Sequence, residues 1–269
     1  MPTLATLATG LGFCEGPVAL PDGSIAVSSI SLGCVHLVRP DGGVDRIDTG
    51  GGANGLAADP EGNVYVAQNG GAWHGSGAAP GGVQVIRDGR AEYLAEIDGI
   101  PNDLAFGPDG RLWVTDPVRE FSWHDAQDGP PGRVHAVDPA TGEVETMLDE
   151  GPVFPNGLAF TPDGSELLLT ATSSSQIFRY TVTASGLTDR RLLTTIDDGH
   201  PDGCSLTDRG LWVATTSGHR IDLVGLDGTL LESIDTGERS LPTNLCPDHH
   251  GTGLYVTASL RGALVHVTF

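Results

Sequence analysis

Leu104-Ala-Phe-Gly-Pro-Asp-Gly-Arg-Leu-Trp-Val114 reads as an apolar strand, a tight turn and a second strand ending in an aromatic residue and valine. Asp-Gly between two alternating runs is a strong hairpin signal. The phrase recurs as Val18-Ala-Leu-Pro-Asp-Gly-Ser-Ile-Ala-Val27, Leu56-Ala-Ala-Asp-Pro-Glu-Gly-Asn-Val-Tyr-Val66 and Leu158-Ala-Phe-Thr-Pro-Asp-Gly-Ser-Glu-Leu-Leu-Leu169. Two looser copies are Cys204-Ser-Leu-Thr-Asp-Arg-Gly-Leu-Trp-Val213 and Leu245-Cys-Pro-Asp-His-His-Gly-Thr-Gly-Leu-Tyr-Val256. The turn glycines read as Gly23, Gly62, Gly110, Gly164, Gly210 and Gly253, 39 to 54 residues apart. Each repeat has room for a second strand pair, such as Val83 to Arg87 followed by Ala91 to Ile97. Six repeats of four short strands predict one all-β domain over residues 1–269, a six-bladed β-propeller. The last blade, ending at Phe269, is one strand short, and Thr3 to Thr9 is left over. The N-terminal strand is therefore expected to complete the last blade and close the ring, removing two open edges.

Eight residues before five of these glycines stand Glu15, Asn54, Asn102, Asn156 and Asp202; nine before the sixth stands Asn244. Asn is poor in strands, so strand propensity does not explain oxygen side chains at one register. In a propeller that register lies at the mouth of the central channel. Hard divalent cations, Ca²⁺ above all, take six to eight oxygen ligands, carboxylates and Asn carbonyls among them. No His or Cys pair shares the register, which disfavours the thiolate and imidazole sites of Zn²⁺ and Cu²⁺.

Composition narrows the function. Gly is 39 of 269 residues, about twice the usual ~7 %, and 18 Pro add further breaks. All 14 basic residues are Arg, so neither a Schiff base nor a lysine general base is available. A net charge of −21 makes nucleic acid and anionic membrane poor partners. Met1-Pro-Thr-Leu-Ala-Thr6 lacks the features of a secretory signal, and no apolar run reaches ~18 residues, so a cytoplasmic location is expected. The four cysteines lack metal-finger spacing and read as reduced core residues.

Glu15-Gly-Pro-Val18, Pro101-Asn-Asp103, Pro155-Asn-Gly-Leu-Ala-Phe160 and His200-Pro-Asp-Gly-Cys204, each ahead of a hairpin turn, resemble the regucalcin/gluconolactonase/luciferin-regenerating enzyme family. The resemblance runs through all six repeats. It implies hydrolysis of a lactone or ester with one divalent ion, Ca²⁺ foremost and Mn²⁺, Mg²⁺ or Zn²⁺ as alternatives. By motif match the metal ligands fall on Glu15, Asn156 and Asp202. Asn102 stands beside them, and its counterpart in related phosphotriesterase-type propellers also touches the calcium. Asn54 and Asn244 become neighbours of that set. Gluconolactonase-like members often carry Arg two residues before the Asn that matches Asn102; this chain has Ile100. The expected small-molecule substrate is accordingly less polar than a sugar lactone.

In such a site the metal acts as a Lewis acid, Asp202 activates the attacking water, and Asn102 and Asn54 donate amide hydrogen bonds to the substrate. The loops after the aromatic-Val strands of the second and third repeats lie on the metal face. They carry Trp73 and His74, and Arg119, Phe121, Trp123 and His124. Two long aromatic loops suit a substrate wall, with Trp73, His74, Arg119, Phe121 and Trp123 as candidate contacts. His200 and His219 are expected near the same face, and His249-His250 in an exposed hairpin opposite it. Alternatives are a phosphotriesterase-like or non-hydrolytic enzyme on the same metal site, or a calcium-stabilised propeller that binds a ligand without turnover.

Overall fold

The computed structural model describes residues 2–73, 75–120 and 128–269. Strand β1 (Thr3–Thr9) comes first, and six four-stranded antiparallel sheets complete a six-bladed propeller. Blade one holds β2 (Cys14–Ala19), β3 (Ile25–Ser29), β4 (Cys34–Val38) and β5 (Val44–Asp48). Blade two holds β6 (Ala53–Ala58), β7 (Val64–Asn69), β8 (Gly81–Arg87) and β9 (Arg90–Glu96). Blade three holds β10 (Leu104–Phe106), β11 (Leu112–Asp116), β12 (Arg133–Val137) and β13 (Val144–Leu148). Blade four holds β14 (Pro155–Phe160), β15 (Glu166–Ala171), β16 (Gln176–Thr183) and β17 (Gly186–Thr195). Blade five holds β18 (Pro201–Thr207), β19 (Gly210–Thr215), β20 (Arg220–Val224) and β21 (Leu230–Asp235). Blade six runs β22 (Pro242–Pro247), β23 (Gly253–Ala258), β24 (Ala263–Thr268), and its fourth, outermost strand is β1. Thr3 pairs with Thr268 and Thr9 with Ala263, so both chain ends lie in one sheet, as the short last repeat predicts. Among the described residues no helix is long and apolar enough to cross a membrane.

The apolar residues of the repeats form six wedges, one in each seam between blades. Leu254 and Val267 of blade six pack on Trp212 and Ile221 of blade five. Ala8, Cys14, Val27, Tyr255 and Leu264 fill the seam where the ring closes. Strands buried on both faces read as near-continuous apolar runs, which is why Leu167-Leu-Leu169 shows no alternation. All four cysteines are free thiols, three of them buried. Burial pushes the Cys14 and Cys246 thiols up to about 12 and Cys34 to about 11, so none supplies a thiolate nucleophile near neutral pH.

Each blade turns its first strand to the axis, where first strands of neighbouring blades touch. In five blades the ladder between first and second strands skips register at the axial residue. The jumps run from Glu15 to Val18, Ala53 to Leu56, Pro155 to Leu158, Pro201 to Cys204 and Pro242 to Leu245. Such a break frees a side chain from the ladder's alternation and re-aims it. Here it turns the axial residue into the channel.

Candidate metal centre on the propeller axis

Glu15, Asn54, Asn102, Asn156 and Asp202 come from five different blades and line one cavity of about 220 Å³ at the channel mouth. All five are nearly buried, between 2 % and 9 % exposed. The sixth place belongs to Thr243 and not to Asn244. The cause is the turn of blade six. Its closing N–H is that of Gly251, donated to Asp248 O at 3.2 Å, as Gly23 donates to Leu20 and Gly62 to Asp59. Gly253 is instead the first residue of β23. Eight residues before Gly251 stands Thr243, whose hydroxyl donates to Cys14 O at 2.9 Å across the closing seam.

Asn244 sits one step further down the channel, facing Asp103 of the opposite blade. Its amide donates to Asp103 Oδ2 at 3.1 Å, and each side-chain Oδ1 accepts the N–H of its own following residue at 2.8 Å. At that level the other blades carry Gly16, Gly55, Gly157 and Gly203. A Cβ there would strike Asp103, Asn244 or the backbone of the next blade. Four glycines thus leave room for one Asp–Asn pair, which separates the upper cavity from a second one of about 360 Å³ below.

The axis therefore carries three buried carboxylates. Burial raises all three carboxyl groups: Glu15 further by the charges of Asp202 and Asp103, Asp202 by Asp103, and Asp103 itself to about 6. Neighbouring hydrogen bonds fix the other oxygens. Thr172 Oγ1 donates to Pro201 O at 2.8 Å and so receives the Asn156 amide at 3.0 Å. That leaves Asn156 Oδ1 as the atom turned to the cavity. Thr170 Oγ1 donates to the Asp202 carbonyl at 2.7 Å, tying the strand that carries the carboxylate to blade four. Asn54 Oδ1 is buried without a hydrogen-bond partner, which is costly for a carbonyl oxygen unless something cationic or protic meets it.

Buried like charges beside an unsatisfied carbonyl oxygen fit a hard divalent cation. No three His, Cys, Asp or Glu side chains among the described residues are arranged to hold a metal by themselves. A cation here depends on carboxamide oxygens, which suits Ca²⁺ better than Zn²⁺.

The rest of the lining is mainly apolar, Phe13, Ile30, Trp73, Phe154 and Leu241, with Thr172 and Thr216 between them. Phe13, Phe154 and Leu241 share a register, two residues before Glu15, Asn156 and Thr243. Their carbonyls accept the N–H of Ile30, Thr172 and Ser259 at the ends of the second strands. Trp73 meets Phe154 edge-on, with ring centroids 5.5 Å apart. Phe13, Ile30, Phe154, Leu241 and Asp103 are not among the sequence-predicted site residues. Arg119 is not a cavity residue: its side chain is exposed and donates to Gly99 O at 2.8 Å. Ile100 is buried and also outside the lining. His200 bonds Ser175 and Thr172 O, and His219 receives the Leu241 N–H at 3.1 Å; neither lines the cavity. His249 and His250 are exposed in the β22–β23 hairpin. His74, Phe121, Trp123 and His124 lie outside the described residues.

Residues 13–260 match the family described as SMP-30/Gluconolactonase/LRE-like region. The chain belongs to that family. Among similar proteins, the gluconolactonase of Zymomonas mobilis is 25 % identical over 289 aligned positions, covering 95 % of this chain and 79 % of that protein. The solved structure of a gluconolactonase from Xanthomonas campestris is 26 % identical with a TM-score of 0.80, over 99 % of this chain and 89 % of that one. The calcium-binding protein regucalcin from Agrobacterium tumefaciens has a TM-score of 0.78 at 19 % identity, over 98 % and 92 % of the two chains; this likeness is one of fold.

Proposed function

We infer that this family member hydrolyses a lactone, with one divalent cation, Ca²⁺ foremost, held by Glu15, Asn102, Asn156 and Asp202. The observation that carries the reading is the convergence of two buried carboxylates and three carboxamides from five blades on one cavity. The gluconolactonase relatives that match along nearly the whole chain supply the reaction class. Asn54, with its unpartnered buried oxygen, adds a fifth candidate ligand or substrate contact.

A divalent cation held there would supply Lewis acidity toward a carbonyl oxygen or a water. Asp202 takes the proton of the attacking water and returns it to the ring oxygen as the lactone C–O bond breaks, leaving the hydroxy acid. Asn102 donates its amide N–H to the carbonyl oxygen as charge develops there. Glu15 and Asn156 orient the centre, and the apolar wall limits the water that reaches it. Among the described residues, the lining of the upper cavity offers no serine or cysteine nucleophile. The net charge of −21 disfavours nucleic acid and anionic membranes as partners.

The test is turnover of a lactone panel before and after EDTA treatment. Activity that disappears with EDTA and returns with Ca²⁺ supports the reading, and Asp202→Asn is expected to lower kcat by at least ~10²-fold. Full activity in the metal-stripped protein would overturn the metal assignment.

A further inference from the structure

The two storeys of the cavity differ in chemistry. Charged and amide groups occupy the floor, whereas the wall residues Phe13, Ile30, Trp73, Phe154 and Leu241 carry no charge and no acceptor. No Arg or His side chain lines the cavity among the described residues. The wall is also held in an unusual way. Trp73, Phe154 and Leu241 have φ of 56°, 53° and 46°, in the left-handed region. A bulky residue there is an outlier and carries backbone strain. Hydrogen bonds help fix them: Thr172 N–H reaches Phe154 O at 3.2 Å, and Leu241 is bonded at its N–H by His219 and at its carbonyl by Ser259. Backbone conformations of this kind persist only where the surroundings over-determine them, and they gather at ligand sites. Here they turn three large apolar side chains over the axial oxygens.

A polyhydroxylated ring placed against this wall would bury more hydroxyls than the few polar groups beside it, the hydroxyls of Thr172 and Thr216 and the Trp73 indole N–H, can satisfy. An alkyl or aryl substituent would instead remove apolar surface from water. With about 220 Å³ available, below the ~300 Å³ at which typical drug-sized pockets begin, the occupant is small.

Resting on the lactonase reading, we propose that the substrate is a small neutral lactone bearing an apolar substituent, and that Trp73, Phe154 and Leu241 determine this specificity. The lactone ring sits over the oxygen floor and its substituent packs between the Trp73–Phe154 pair and Leu241.

The test separates ligand class from turnover by using lactams, which are not hydrolysed readily. Calorimetric titration of the Ca²⁺-loaded protein compares a δ-lactam carrying a butyl group with the polyhydroxylated δ-lactam of gluconic acid. The butyl lactam is expected to bind at least ~10-fold more tightly. Phe154→Gly relieves the left-handed strain and so is expected to stay folded; it should cut that preference at least about fivefold, and Leu241→Ala should do the same. Equal or tighter binding of the polyhydroxylated lactam, or binding of neither, overturns the proposal. An unchanged preference in both variants overturns the residue assignment. Butyl-lactam preference without hydrolysis of the corresponding lactone would uphold the ligand class while removing the hydrolytic reading.

Discussion

Thr172 decides which atom of Asn156 faces the axis. Its hydroxyl proton goes to Pro201 O, so toward Asn156 it can only accept, and the amide must supply the proton. Thr172→Val removes this control and lets the carboxamide turn its NH₂ inward. Ca²⁺ affinity, measured by calorimetry on folded protein, should fall ~10- to 100-fold; unchanged affinity would dissociate Asn156 from the cation. Asp103 makes a second residue-scale case. In metal-free protein its carboxyl titrates at about 6 against an ordinary 3.8. The folded state then retains a proton that the unfolded chain has released. This stabilisation is present below about pH 4 and is lost as pH rises toward 6; Glu15 and Asp202, raised for the same reason, extend the loss upward. With EDTA present, the Tm should fall between pH 4 and 7, and Ca²⁺ should restore it at pH 7. A flat profile in EDTA would contradict the buried carboxylate cluster. In the sequence, Asp103 is hidden in an Asn-Asp pair that reads equally well as a turn.

At the scale of the element, the hairpin is what the sequence displays. Turn glycines mark five blades in register, three of them in Asp-Gly pairs, and counting back from these glycines finds Glu15, Asn54, Asn102, Asn156 and Asp202 together. Blade six breaks the count because Gly251 closes its turn while Gly253 begins the next strand, and the two are hard to rank without hydrogen bonds. The wall was less visible because its residues lie in the segments leading into first strands. There no shared residue type repeats: the register holds Phe13, Gly52, Ile100, Phe154, His200 and Leu241. The closing strand β1 was legible from a shortage, one strand too few at the C-terminal end. It pairs with β24 along its length and adds Ala8 to the closing seam. Removing residues 2–9 exposes the β24 edge and that seam, and should lower the Tm by on the order of 10 °C in a thermal melt. An unaltered melt would show that the ring closes without it.

For the molecule as a whole, the propeller converts a linear repeat into convergence. Six wedges of core hold the blades as staves, and each blade delivers one polar side chain to the upper cavity at the same register. Residues 15 and 202, far apart in the chain, thereby share one buried cavity with Asn54, Asn102 and Asn156. An acidic chain, at −21, concentrates three carboxylates at its centre with no cationic side chain among the lining residues. That arrangement is unfavourable on its own and becomes favourable with a divalent cation. The most direct measurement is calorimetric titration of metal-stripped protein with Ca²⁺, for the wild type and for Glu15→Gln/Asp202→Asn. The expected result is one ion per chain in the wild type and at least ~100-fold weaker binding in the double variant. No saturable binding to folded wild-type protein, or one ion bound with equal affinity by the double variant, would contradict a metal centre on the propeller axis.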